Sequence, residues 1–342
     1  MNEEFLTAIQ DLERERGIRP DVLLEAIEAA LISAYKRNFG SAQNVRVVID
    51  RETGEFHVMA HREVVEVPED ARLEVSIDEA RLDDPRAQVG DIREYEVTPR
   101  DFGRIAAQTA KQVVVQRIRE AERGMVFEEF QNREGDIVTG TVHRVEHRTV
   151  YVELGKAEAI LTHSEQIPGE VLVAGSRIKA YVLEVKRTSK GPQIMLSRSH
   201  PGLLRRLLEL EVPELHDGAV ELRGIAREAG FRSKVAVEAR VAGVDPIGAC
   251  VGPRRQRIDT IVAELRGEKI DLIRFSPDLR EYIGASLQPA RVTSVNLEED
   301  SKIAHVVVPE SQLSLAIGKE GQNARLAAKL TGWKIDIRAD HS

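Results

Sequence analysis

At 342 residues, 42% hydrophobic and 31% charged, the chain is long enough for two to four domains with cores of their own, and with only 4% aromatic residues those cores are aliphatic. The single cysteine, Cys250, excludes an internal disulfide framework and, set in an apolar helical pattern, reads as a small core residue. Net charge is −8 but unevenly spread: residues 1–130 carry 18 Lys+Arg against 28 Asp+Glu (net −10), residues 131–200 carry 10 against 8 (net +2), and residues 201–342 carry 21 against 21 (net 0). The first region is thus suited to a protein partner rather than to nucleic acid, and the rest must concentrate its positive charge locally if it binds phosphate.

The sequence opens on the acidic Met1-Asn2-Glu3-Glu4, and no run approaches the roughly 18 apolar residues of a membrane span, so a cytoplasmic protein without membrane attachment is expected. Phe5, Ala8, Ile9 and Leu12 at helical spacing predict a first helix ending at Gly17. Pro20 suits the first turn of a second, whose stripe is Leu23, Leu24, Ile27, Ala30, Leu31 and Ala34. Two strands follow, Val45 to Ile49 and Phe56 to Val67, joined by a turn at Thr53-Gly54. Beyond the loop around Asp83-Asp84-Pro85, a long helix is signalled by Ala106, Ala110, Val114, Ile118, Ala121 and Met125. From Gly135 to Ser199 the pattern turns to short strands: Ile137 to Val142, Val150 to Leu154, Ala159 to Leu161, Ile178 to Val185 and Ile194 to Leu196. Five short strands in so compact a stretch predict a small closed barrel of OB type. Leu203 to Leu210 reads as a linking helix ended by Pro213, and two α+β repeats occupy the remainder.

Each repeat carries a loop between two apolar helical patterns. The later one reads Leu315-Ala316-Ile317-Gly318-Lys319-Glu320-Gly321-Gln322-Asn323; its near copy, Ala249 to Arg257, has its first glycine 66 residues upstream (318 − 252). The flanks repeat as well, Ser233-Lys234-Val235-Ala236 with Ser301-Lys302-Ile303-Ala304, and Lys269-Ile270-Asp271 with Lys334-Ile335-Asp336. G-x-x-G in this setting is the KH pattern, whose glycines let the backbone approach a single-stranded nucleic acid and clamp about four nucleotides. The first loop departs from it: Gly252-Pro253-Arg254-Arg255 places Arg where the second glycine would stand, and a side chain that tolerates positive φ poorly leads us to expect a distorted loop there. Arg254, Arg255 and Arg257 cluster at the start of the next helix, a setting that suits phosphate.

The order of these parts, an α+β N-terminal domain, an OB-type barrel and two tandem KH domains, resembles the NusA family of bacterial transcription termination/antitermination factors. Asp101 to Gln112, Glu209 to Glu214 and Val244 to Gly252 carry the resemblance in detail. It implies domains at residues 1–130, 131–200, 201–276 and 277–342. It further implies a non-enzymatic factor, monomeric when free and needing no cofactor or metal. Such a factor binds core RNA polymerase through its N-terminal domain and nascent single-stranded RNA through the barrel and KH domains. It modulates pausing, intrinsic termination and antitermination together with other elongation factors. The implied RNA-binding residues are Gly318, Lys319, Gly321 and Arg325 in the second KH domain and Gly252, Arg254, Arg255 and Arg257 in the first.

The barrel is similar to the RNA-binding domain repeated in the large ribosomal protein S-one, through Gly140 to Val145, His163-Ser164-Glu165 and Leu196-Ser197-Arg198. There the RNA-binding positions would be Arg148, Tyr151 and His163. Arg148-Thr149 replaces the aromatic-glycine pair usual for that family, which removes a stacking platform worth roughly 1–3 kcal/mol per base. Some relatives carry acidic repeats after the second KH domain; without them, no autoinhibitory tail is expected.

Other chemistries lack a foundation. His143-Arg144-Val145-Glu146-His147 matches H-x-x-E-H, but that zinc motif needs a helix, whereas strand residues four apart stand about 13 Å from one another. No phosphate-binding P-loop or dinucleotide fingerprint occurs, and carboxylates such as Glu69-Asp70 lie in loops without a nearby His or Cys. The alternative is an RNA-processing or ribosome-associated protein, since exoribonuclease tails also join KH and barrel modules. Those place KH before the barrel, behind a large catalytic core, and this chain has the reverse order.

Overall fold

The computed structural model describes residues 2–40 and 44–340; the side chains of residues 2–5, 8 and 16 lie outside the described residues, and with them Phe5 and Ala8 of the first stripe. Two compact units divide after Met125.

In the first unit, helix α1 (Asn2–Arg16) stops at Gly17 with φ 67°, and α2 (Pro20–Phe39) has proline in its first turn and buries Leu23, Leu24, Ile27, Leu31 and Ala34. Strands β1 (Val45–Ile49) and β2 (Phe56–Val65) pair antiparallel across a turn in which Asp50 Oδ1 accepts from the backbone N–H of Glu52 (2.7 Å) and Thr53 (2.8 Å). Three elements give no sequence signal: β3 (Glu74–Ser76), α3 (Ile77–Asp83), capped by Ser76, and β4 (Ile92–Glu96). β3 is too short for a period, and β4 alternates exposed Ile92, Glu94 and Glu96 with half-buried Arg93 and Tyr95, so no apolar face declares it. β3 and β4 complete a four-stranded sheet on β2. The long helix α4 (Phe102–Gln131) gives Phe102, Ala106 and Ala110 to the core of this unit and Phe127 and Phe130 to the core of the barrel.

The second unit is the multidomain α+β arrangement expected. Strands β5 (Ile137–Glu146), β6 (Thr149–Leu154), β7 (Ala157–Leu161), β8 (Arg177–Thr188) and β9 (Gly191–Ser197) form a barrel of order β5-β6-β7-β9-β8, closed by the parallel pairing of Ala159 with Ile194. Gly140 is required where β5 crosses β6, since a Cβ there would lie 2.5 Å from Val152 Cγ1. The linking helix α5 (Pro201–Glu211) is followed by one turn, α6 (Pro213–His216), and buries Leu203, Leu204, Leu207 and Leu208 in the first KH core.

The first KH domain continues with β10 (Val220–Glu228), β11 (Arg232–Ala239), α7 (Pro246–Val251), α8 (Gln256–Glu264) and β12 (Lys269–Arg274). The second repeats it: α9 (Leu279–Ser286), β13 (Ser294–Glu298), β14 (Ile303–Pro309), α10 (Leu313–Ile317), α11 (Gln322–Thr331) and β15 (Lys334–Asp340). In both sheets the middle strand pairs antiparallel with the first and parallel with the last. The register corrects one sequence match. Arg232 stands opposite Lys269 and Ile303 opposite Lys334, so the counterpart of Ser233-Lys234 is Ala304-His305, and Ser301-Lys302 lies in the turn before β14. The sequence likeness is therefore off by three residues (304 − 301), of which the hairpin turn, residues 299–302 against 229–231, accounts for one.

The barrel and the first KH domain meet through charge. Arg198, 1% exposed, donates to both oxygens of Glu170 (2.8 and 2.7 Å) and to Glu264 Oε1 at the end of α8 (3.1 Å). Arg227 and Glu268, each side chain fully buried, pair at 3.0 Å, while Arg227 Nη1 also donates to the carbonyl of His200 (2.8 Å). Buried charges hold only when paired and hydrogen-bonded, so this seam fixes the two modules in one orientation.

Candidate nucleic-acid interface

The two KH loops share one backbone conformation. Gly252 (φ 73°, ψ 173°), Arg254 (51°, 29°) and Arg255 (65°, 11°) match Gly318 (76°, 168°), Glu320 (54°, 26°) and Gly321 (74°, 13°), the widest difference being 9°. The distortion expected at Arg255 is absent. The loop closes on itself, Arg255 N–H donating to the Gly252 carbonyl at 3.2 Å as Gly321 N–H does to Gly318 at 3.1 Å, and the helix beyond fixes the left-handed residue. The Arg255 side chain projects into solvent, with Asp259 3.4 Å away one turn on.

The two glycine positions of the pattern differ in purpose. A Cβ at Gly252 would lie 2.5 Å from Arg257 Cγ, and one at Gly318 2.8 Å from the Asn323 backbone nitrogen, so the first glycine serves packing inside the domain. Gly321 has nothing within 4 Å and faces open space. The residue packed beneath the first glycine turns back to the preceding helix. Arg257 Nη1 donates to the Ala249 carbonyl (2.6 Å) and to Glu214 (2.7 Å); Asn323 Nδ2 donates to the carbonyls of Ala316 (3.0 Å) and Leu287 (2.9 Å). Arg257 therefore closes the end of α7, its head half-buried and already engaged.

Beside the first loop runs an open groove of ≈ 1090 Å³, floored by Ile247, Val251, Ile258, Ile270 and Leu272 and rimmed by Arg255, Arg280 and Arg291. The second loop has its own apolar approach in Leu315 and Ile317, exposed on α10. Arg254, Lys319, Arg280 and Arg291 make no ion pair among the described residues, which leaves their heads available to phosphate. Apolar shelves for bases beside unpaired cations and a close backbone approach are the elements by which KH modules hold a strand.

The sequence carries four matches to known families in this order: the NusA N-terminal domain over residues 4–124, the S1 RNA binding domain over 131–197, the NusA-like first KH domain over 198–275 and the NusA-like second KH domain over 279–342. A transcription termination/antitermination protein NusA of Halalkalibacterium halodurans is 60% identical over 340 residues, covering 99% of this chain and 89% of that one. The chain belongs to the NusA family. NusA proteins of Bacillus subtilis (57% identity, 99% of this chain and 92% of that one) and Thermus thermophilus (45%, 98% and 89%) are similar over the same span.

Among the other positions that the NusA resemblance singled out, Arg325 is engaged. Its head donates to Glu228 and to the Glu320 carbonyl. In the barrel, Arg148 sits exposed at the tip of the β5–β6 turn with φ 66°, and His163 is exposed on the 3₁₀ turn after β7. Tyr151 is half-buried on β6 and already covered: Arg144 Cζ lies 3.8 Å from its ring centroid. Arg144 in turn pairs with Glu146 at 2.9 Å and with Glu158, and holds the Glu158 carboxyl below the usual carboxylate range. Together with exposed Glu153 on the same face of β6, these carboxylates make a poor approach for phosphate. None of the three barrel residues lines the groove beside the first KH loop.

Sequence reasoning missed Arg280 and Arg291. They lie outside both loop motifs and reach the first groove only because α9 and the segment after it pack back beside β12. Cys250 is buried as expected, and burial pushes its thiol up to about 12, which makes it inert at neutral pH.

Proposed function

We propose that this chain is a non-enzymatic transcription elongation factor that holds core RNA polymerase with residues 1–130 and nascent single-stranded RNA with the KH domains at 201–276 and 277–342. It works in the cytoplasm as a monomer when free and joins other elongation and antitermination factors on the polymerase. The observation that carries the RNA half is the common conformation of the two loops, each set beside an apolar surface and unpaired cations. Phosphates sit at the loop, where Gly321 leaves space and Lys319, Arg254 and Arg255 supply charge; bases lie against the apolar floor. The barrel at 131–200 is chiefly a spacer, with Arg148, Tyr151 and His163 as weak contacts. Binding polymerase and transcript at once biases the paused complex toward termination or antitermination. Membership of the NusA family and the acidic surplus of residues 1–130 support the polymerase half.

The test is a salt titration of single-stranded RNA binding by wild type, Lys319→Ala and Gly321→Asp, with melts as a folding control. Gly321→Asp puts a carboxylate where phosphate is expected and severely weakens binding; Lys319→Ala flattens the slope of log affinity against log salt by about 0.7. Unchanged affinity and slope in folded Gly321→Asp refute the second loop as an RNA clamp.

A further inference from the structure

Arg325 stands one turn into α11, behind the second loop, where sequence alone offers it to phosphate. In the fold its head is committed to the other KH domain. Nε donates to Glu228 Oε1 at 2.6 Å and Nη2 to Glu228 Oε2 at 3.1 Å, and Gln322 Nε2 donates to the same carboxylate at 2.9 Å. Arg325 Nη1 also donates to the carbonyl of Glu320, inside the loop, at 3.1 Å. Glu228, 19% exposed, ends β10 of the first KH domain, so one carboxylate there grips the first turn of α11 and, through Arg325, the second loop. Further along α11, Leu330 packs over Gly224 of the same strand, where a Cβ would lie 3.2 Å from Leu330 Cδ1. The grip belongs to the junction rather than to the hairpin. Glu298 holds the matching place in the second sheet, opposite Ile303 as Glu228 is opposite Arg232, and there the carboxylate turns to His305 of its own sheet.

We propose that Glu228 is a positioning residue for RNA binding: through Arg325 and Gln322 it sets the second clamp loop at a fixed place relative to the first, so that one strand is held by both. This rests on the RNA-clamp reading above. Once one loop has bound, the second binds the same strand at an effective concentration set by geometry, and a loosened junction lowers it without removing any contact to RNA. If Arg325 were instead a phosphate ligand, freeing it from Glu228 would raise affinity.

The experiment uses the full chain and two labelled oligoribonucleotides, one of about four nucleotides, the length a single KH loop clamps, and one of about a dozen. Glu228→Gln is expected to weaken the longer RNA about tenfold and leave the shorter within about twofold. The charge-swapped pair Glu228→Arg with Arg325→Glu is expected to recover most of the loss, with the salt slope of the wild type. Equal or tighter binding of the longer RNA by Glu228→Gln overturns the proposal, as does a slope flattened by about 0.7 in the swapped pair, which would mark Arg325 as a phosphate contact. Gly321→Asp on the same RNAs separates the two readings. If it abolishes binding while Glu228→Gln has no effect, the positioning role alone fails; if it too has no effect, the clamp reading fails and the positioning role with it.

Discussion

Arg255 holds φ 65°, a left-handed conformation that costs a residue with a side chain about 1–2 kcal/mol relative to the right-handed one. A residue kept there without a packing role is useful for what its side chain reaches. Arg255→Ala is expected to weaken RNA binding and flatten the salt slope by about 0.7, with Arg255→Gly falling between Ala and wild type because it restores loop freedom. Equal affinities for all three, read by the same titration, would place Arg255 outside the interface. Glu228 makes a pH prediction. The Arg325 hydrogen bond, its largest influence, holds its carboxyl below the ordinary 4.5. A carboxylate with a lowered folded-state value stabilises the fold above its ordinary value and loses that contribution as pH falls through the lowered one. The stability gap between wild type and Glu228→Gln, from denaturant melts, is therefore constant above about pH 5 and shrinks below it.

Among the elements, the two glycines of the second loop separate fold from function. Gly318→Ala must push a Cβ against the backbone of α11 at 2.8 Å and also strain φ 76°, whereas Gly321→Ala meets nothing within 4 Å and bears only the conformational cost. Thermal melts should place Gly318→Ala below Gly321→Ala by at least about 1 kcal/mol; a reversed order would contradict the packing role of the first glycine. The matched registers also explain why the two sheets differ outwardly. Ala236 and Ile273, paired in the first sheet, pack with Tyr282 under the second domain, while their counterparts Val307 and Arg338 are half-buried and exposed. A sheet face covered by the next module is apolar and one left to water is polar, as in stacked repeats.

For the molecule as a whole, the buried charges at the seam between barrel and first KH domain are its most exacting feature. Arg198→Ala leaves the Glu170 carboxylate, 0% exposed, without its main partner, and removing one member of such a pair costs about 3–5 kcal/mol. Denaturant melts should show that loss; a drop under about 1 kcal/mol would mean the seam opens to water. A pull-down on core RNA polymerase should succeed with the full chain and with Gly321→Asp and fail with residues 126–342, the second compact unit, which keeps Phe127 and Phe130 of the barrel core. Equal capture by residues 126–342 would remove the polymerase role from the first region.

Local signals carried most of the architecture. Helical stripes, turn glycines and short alternating strands are set by contacts within a few residues, so the long helix, the five barrel strands and both KH repeats were legible, and the motif located the two loops. What depends on distant chain segments was not. β3 and β4 are too short or too polar to declare themselves without β2, and the likeness of Ser233 to Ser301 pointed to the wrong register because register is fixed only when strands pair. Arg255 read as a disruption until the closing hydrogen bond and the following helix were seen to hold it. Most of all, the sequence could say which arginines lie near a loop but not where their heads go. Arg257 bonds back to Glu214 and Ala249, and Arg325 to Glu228, 97 residues away, while Arg280 and Arg291 are brought to the groove by packing. Residue type and spacing fix local conformation, but the partner of a long charged side chain is chosen by which surfaces the tertiary fold brings within a hydrogen bond of it.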